Sequence, residues 1–256
     1  MRILGIDIGG SSVKGGPVDL SRGELIAPRL SLPTPLPATP QAVAEQVAEI
    51  KRHFQWQGPI GCGVPAVVRN GVSWTAANIE PGWVGVDVGQ LLAAVTRCKV
   101  TVLNDADAAG LAEMKFGSGW GQSGTVLMIT LGTGLGSALF RDGRLIPNTE
   151  LGHLLINGQV AEHYASAAIK RQQQLSYRSW ANRLDRYLQR LNELFWPDLL
   201  ILGGEISREH DQFLPLLTVS TRVVPSSSSM AFSTSHLLSD QSGAINRSRG
   251  PSPVKR

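Results

Sequence analysis

The stretch LGIDIGGSSVKGG, residues 4–16, sets a carboxylate, Asp7, inside an apolar strand pattern and follows it with glycines, serines and a lysine. A buried unpaired carboxylate costs several kcal/mol, so an ordinary strand and turn leaves Asp7 unexplained. A second stretch, ITLGTGLGSAL from Ile129, repeats the first from Ile6: strand, glycine turn, strand, with Thr130 opposite Asp7. Two such halves facing each other bring both turns to one cleft.

The glycines suit a turn that lets backbone N–H groups approach an anion. Ser11 and Ser12 add hydroxyl donors, Lys14 a positive charge, and Asp7 would hold a hydrated Mg²⁺ against the anion. A plain hairpin explains Gly9 and Gly10 but not Asp7. The Gly132-Thr133-Gly134 turn has the same character, and Gly203-Gly204 is a third strand-end turn, so phosphate binding is favoured over chance.

Around these turns the pattern is α/β. Strands are expected over Ile3 to Ile8, Val13 to Leu20, about Leu25 to Leu32, Ile60 to Val68, Val100 to Leu103 and Leu199 to Leu202. Helices are expected from Pro40 behind a Thr39 cap, over Val88 to Thr96, from Asp105 to about Lys115, and over Ala161 to Gln173 and Leu175 to Phe195. The division expected is an N-terminal half over 1–112, a C-terminal half over 113–225 and a tail over 226–256. Ten of the tail's 31 residues are serine and it carries no sustained period, so it reads as disordered.

The chain has 256 residues, 42% of them hydrophobic, enough for a substantial core. Its net charge of +4 includes no block of like charges, which argues against a nucleic-acid partner. Cys62 and Cys98 form no metal or disulfide pattern and read as small core residues. The uncharged stretch Thr125 to Phe140 is broken by glycines, so no membrane segment is expected and the reading is a cytoplasmic protein.

In NDAD, residues 104–107, Asp105 ends a strand and starts a helix. It is either a helix cap or a general base for a hydroxyl, and Asn104 suits a neighbouring sugar hydroxyl. Glu150, His153 and Glu162 are either a solvated turn and a helix start or a set that recognises a polyol. Their spacing matches no common metal-ligand set.

The series IDIGGSSVKG, GVPAVV, TAANIEPGW, NDADAAG, TLGTGLGSALF, ELGH and LLILGGEIS resembles, in content and order, the ROK sugar kinases of the actin-like ATPase superfamily. Within that family, PNTELGHL and AEHYAS resemble the polyphosphate-dependent glucokinase branch. The resemblance implies an actin-like two-domain α/β fold with ribonuclease-H-like halves. It implies phosphoryl transfer from polyphosphate, with ATP as a further donor, to the 6-hydroxyl of glucose, and a homodimer. Asp105 would be the base; Asn78, Asn104, Glu150, His153 and Glu162 would hold the sugar. Asp7, Gly9, Gly10, Ser11, Lys14, Gly132, Thr133, Gly134, Gly203 and Gly204 would surround the phosphates, with Mg²⁺ on Asp7 through water.

Three departures accompany the resemblance. The zinc motif of many ROK proteins is missing after His153, Glu205 stands where the family shows a third glycine, and the sequence beyond Pro225 diverges. An ATP-dependent ROK hexokinase and a sugar-binding relic without turnover are the competing readings.

Overall fold

The computed structural model describes residues 1–76 and 79–227. Asn78 and residues 228–256 lie outside the described residues. The first half runs through β1 (Arg2–Ile8), β2 (Ser12–Asp19), β3 (Glu24–Leu25), β4 (Leu30–Pro33), α1 (Pro40–His53), β5 (Ile60–Val64), β6 (Val68–Arg69), β7 (Val72–Ser73), α2 (Val88–Thr96), β8 (Val100–Asn104) and α3 (Asp105–Phe116). The second comprises β9 (Thr125–Leu131), β10 (Leu135–Arg141), β11 (Arg144–Ile146), β12 (Leu155–Ile156), β13 (Gln159–Val160), α4 (Glu162–Ala165), α5 (Ala167–Gln172), α6 (Tyr177–Phe195), β14 (Leu199–Gly203) and β15 (Val223–Pro225).

The two main sheets repeat one topology. The first has the order β3-β2-β1-β5-β8, with β4 also paired to β2, and the second the order β11-β10-β9-β14-β15. In each, the first two strands form an antiparallel hairpin and the next two are added in parallel. Asp7 faces Gly63 across the parallel pair of the first sheet, and Thr130 faces Gly203 in the second. The correspondence read from sequence is therefore a register match. The turns differ in one respect: Ile8 pairs with Val13, but Leu131 pairs with Leu135, so the second turn is one residue tighter.

Periodicity explains the two cores. One face of β1 and β5 (Leu4, Ile6, Ile8, Ile60, Cys62, Val64) packs against Val43, Val47 and Ile50 of α1 and Leu92 of α2. Thr39 caps α1, its side chain accepting from Ala42 N, with Pro40 in the first turn. In the second half, Trp180, Leu184, Leu188 and Leu191 make the apolar stripe of α6 and cover Leu127, Ile129, Leu200 and Leu202. Helix α3 leaves the first sheet but seats Leu111 on Val126, Met128, Phe140 and Ile201 of the second. Gly110 permits that approach, because a Cβ there would lie 2.6 Å from Ala138 Cβ.

Three expected elements break where a local rule prevails. The strand expected over Leu25 to Leu32 is two strands, interrupted at Pro28, which has no N–H for the ladder. The strand expected to reach Val68 stops at Val64 before Pro65, and Ala66 N turns back to Val64 O at 2.8 Å. The helix expected over Ala161 to Gln173 is divided by Ser166, which is extended (ψ 159) and caps α5 by accepting from Ile169 N. Both cysteines are buried and free. Ser226, at the start of the tail, continues the sheet pairing, its N–H donating to Leu202 O at 2.8 Å. Among the described residues no helix is long and apolar enough to cross a membrane.

Candidate active site

The hairpin turns meet at a 380 Å³ cavity between the sheets. Gly9, Gly10 and Ser11 line it from one turn and Gly132, Thr133 and Gly134 from the other. Asn104 and Asp105 enter from the start of α3, Glu150 and His153 from a short 3-10 turn, and Glu162 from α4. The size suits a small-molecule site. The first turn is held by Gly9 N donating to Ser12 O at 3.0 Å and Thr34 Oγ1 donating to Gly9 O at 2.6 Å. The second is held by Ala168 N, at the start of α5, donating to Gly132 O at 3.1 Å.

Asp7, Lys14 and Gly204 line an adjoining cavity of 290 Å³ that shares Asp105 and Thr130 with the first. Asp7 lies directly opposite Lys14 in the β1–β2 hairpin. Burial pushes the Asp7 carboxyl above its ordinary range, against the opposing pull of Lys14 and Arg29. Gly203 is a buried strand end packed under Met128, so its part is to admit that side chain. Glu205 lines the second cavity together with Lys14, Arg29 and Arg208, three cations that face the extra carboxylate.

The cap of α3 is Asn104, not Asp105. Asn104 Oδ1 accepts from Asp107 N at 3.0 Å and its Nδ2 donates to Ala66 O at 3.2 Å, so most of this amide is committed within the protein. Asp105 is the first residue of the helix and stays half-buried at the cavity wall. Its carboxyl is pushed up to about 7, first by burial, then by the charges of Asp7 and Glu150, with a bond from Ala106 N opposing. A carboxylate tuned near neutrality fits proton removal from an alcohol.

On the other wall, Ser137 holds both neighbours of Glu150. Its Oγ donates to Thr149 O at 2.6 Å and accepts from Leu151 N at 3.0 Å. Burial raises the Glu150 carboxyl, His153 lowers it and Glu162 raises it. Glu162 Oε1 lies 3.8 Å from His153 Nε2 and 3.7 Å from His163 Nε2. Glu150 and Glu162 thus present acceptors, and His153 a donor or acceptor, to one small cavity.

Sequence reading missed Ser137, Thr149, Arg29 and Arg208. Ser137 and Thr149 stand inside quoted motifs but carry no signal of their own there, and Arg29 and Arg208 stand in none and meet at the second cavity through chain-distant packing. Asp107 was visible in NDAD but had no role; it is 1% exposed and accepts from Asn148 N at 2.7 Å.

Comparison with known proteins agrees with this fold. A sequence model of the ROK family matches residues 3–170. The chain is 48% identical over 223 residues to a polyphosphate glucokinase of Mycobacterium tuberculosis, covering 87% of this chain and 84% of that protein. It superposes with a TM-score of 0.90 and 43% identity on an inorganic polyphosphate/ATP-glucomannokinase from Arthrobacter sp. strain KM, covering 94% and 99% of the two chains. A ROK family glucokinase from Streptomyces griseus, solved with glucose and AMPPNP, shares the fold at a TM-score of 0.80 and 22% identity, covering 94% and 100%. With the repeated sheet topology and the motif order, these matches establish that the chain belongs to the ROK family and has its actin-like two-domain α/β fold.

Proposed function

We propose that the cleft transfers a phosphoryl group from polyphosphate, with ATP as a further donor, to the 6-hydroxyl of glucose. One observation carries the reading: a carboxylate held near neutrality, Asp105, shares a cavity with two glycine turns and with the set Glu150, His153 and Glu162. The first feature suits proton removal, the second phosphate and the third a polyol. The high identity to polyphosphate glucokinases supports the choice of donor and acceptor.

Phosphoryl transfer asks the protein mainly for positioning and charge stabilisation. Glu150 and Glu162 would accept from sugar hydroxyls, with His153 beside them, and hold the ring so that its 6-hydroxyl meets Asp105. Asp105 takes the hydroxyl proton as the oxygen attacks. The backbone of the two turns and Lys14 would hold the donor's phosphates.

Mg²⁺ fits the second cavity. Its lining sets four carboxylates, Asp7, Asp105, Glu113 and Glu205, against three cations, a poor balance for a polyanion until a divalent ion is added. Among the described residues no group of three or more His, Cys, Asp or Glu side chains is placed to hold a metal, which suits an ion bound through one carboxylate, water and the donor's phosphates. Asp7 would hold it through water. When bound, Mg²⁺ neutralises charge on the phosphates.

Purified protein should form glucose 6-phosphate with polyphosphate and Mg²⁺, and lose that activity with EDTA. Product with ATP alone would assign an ATP-dependent hexokinase; glucose binding without product from either donor would assign a sugar-binding relic. The resemblance also supports a homodimer, which light scattering would check.

The sugar set has its own test. Glu162→Gln keeps the shape but replaces an acceptor by a donor, so glucose affinity should fall by about 1–3 kcal/mol and deoxyglucose should lose its disadvantage. Normal affinity by calorimetry would reduce Glu162 to the first residue of α4.

A further inference from the structure

Asn148 joins the two halves beside the sugar-holding segment. It lies between β11 and the 3-10 turn of His153, in the left-handed region (φ 61). Its Oδ1 accepts from Val68 N at 2.8 Å and its Nδ2 donates to Val68 O at 2.9 Å. The side chain thereby copies the paired bonds of an antiparallel bridge against β6, on the first half.

The backbone of Asn148 is anchored as well. Its N–H donates to Asp107 Oδ2 at 2.7 Å, and Asp107 is 1% exposed. The other oxygen, Oδ1, has no hydrogen-bond partner among the described residues. A buried carboxyl left half satisfied costs stability, which asks for a purpose beyond packing.

Position supplies the purpose. Asp107 is two residues after Asp105 in the first turn of α3, and Asn148 is two residues before Glu150. The 2.7 Å bond between them therefore ties the segment of the base to the segment of a sugar carboxylate. Val68 adds a second contact from the first half to the same node, while Ser137 fixes Glu150 from the second. The phosphate turns are held by other groups, Thr34 and Ala168.

We propose that Asn148, anchored by Asp107 and latched onto Val68, is a positioning residue that sets Glu150 against Asp105 and so governs glucose recognition without governing the donor. This rests on the reading of the cleft as a glucose site. The polar latch adds specificity that an apolar contact between the halves would lack, because both of its bonds form only in one register.

Asn148→Gly separates this role from fold maintenance, since glycine keeps the positive φ at no steric cost and removes both bonds to Val68. The expected result is a glucose KM and calorimetric Kd raised about tenfold, with the polyphosphate KM within about twofold of wild type. Asn148→Asp keeps the acceptor for Val68 N but turns a carboxylate oxygen onto Val68 O, so it should weaken glucose binding at least as much. Glucose KM and Kd within twofold of wild type in the glycine variant would overturn the proposal, whatever its melting temperature. If that variant does not fold, unchanged glucose Kd in Asn148→Asp overturns it instead. Wild-type protein that binds no glucose would sink the site reading itself, a different result from a variant that binds normally.

Discussion

Asp105→Asn is expected to lower kcat by about 10²–10⁴ while leaving the glucose Kd within about threefold, the range attributed to a positioned general base. The amide keeps the shape of the carboxyl at the first position of α3 but cannot take a proton. Wild-type kcat/KM for glucose should rise with pH through an acid limb near 7, because the carboxyl is held at about 7 and acts only when ionised. Glu150 contributes to that elevation, so Glu150→Gln should move the limb to lower pH even as it weakens sugar binding. Stability carries the opposite signature. The carboxyl titrates near 3.8 when unfolded and near 7 when folded, so the folded protein retains a proton that the unfolded chain has released between those values. Its contribution to stability is present below about pH 4 and is lost as pH rises to 7. The asparagine variant has no such loss, and its melting temperature relative to wild type should climb from pH 5 to pH 8. Turnover unchanged in the variant removes Asp105 from the role of base.

Much of the fold was legible because it is written in local periods. IDIGGSSVKGG and ITLGTGLGSAL each carry a whole hairpin, and their alignment predicts the register that sets Asp7 and Thr130 opposite glycines of the parallel strands. The lining of the cleft was legible for a related reason: in parallel sheets, functional groups gather where strands end, and Asp7, Asp105 and the glycine turns all stand there. What escaped was set by tertiary contact. Ser137 looks like any inward-facing strand residue until the chain returns twelve residues later to place Thr149 and Leu151 on its hydroxyl. Arg29 and Arg208 lie far from each other in sequence and meet only at the second cavity. Asn104 lines the cleft as its strand-end position implies, but the tie of its amide to Ala66 O, far away in sequence, comes from tertiary packing that the motif does not show.

Gly204→Ala should be the most damaging single-methyl change among the glycines proposed to surround the phosphates. Gly204 follows β14 with φ 91 and ψ 171, a conformation open almost only to glycine, and a Cβ there would lie 2.4 Å from Leu131 O. Leu131 is the last residue of β9, immediately before the Gly132 turn, and its carbonyl is backbone that cannot rotate aside as a side chain would. The conformational strain costs about 1–3 kcal/mol and the overlap a similar amount. Together these are a large share of the roughly 5–15 kcal/mol that keeps a domain folded. The melting temperature should therefore fall by about 5–20 °C. Because relief of the overlap must push β9 at its end, the KM for polyphosphate should rise in whatever fraction stays folded. Gly143→Ala is the matched control: it also has a positive φ, 75, but nothing within 4 Å of its Cβ. That variant should lose only a few degrees, the effect of strain alone. Equal losses in the two would show that the approach of Gly204 to Leu131 constrains neither the fold nor the turn, and that positive φ accounts for the whole requirement.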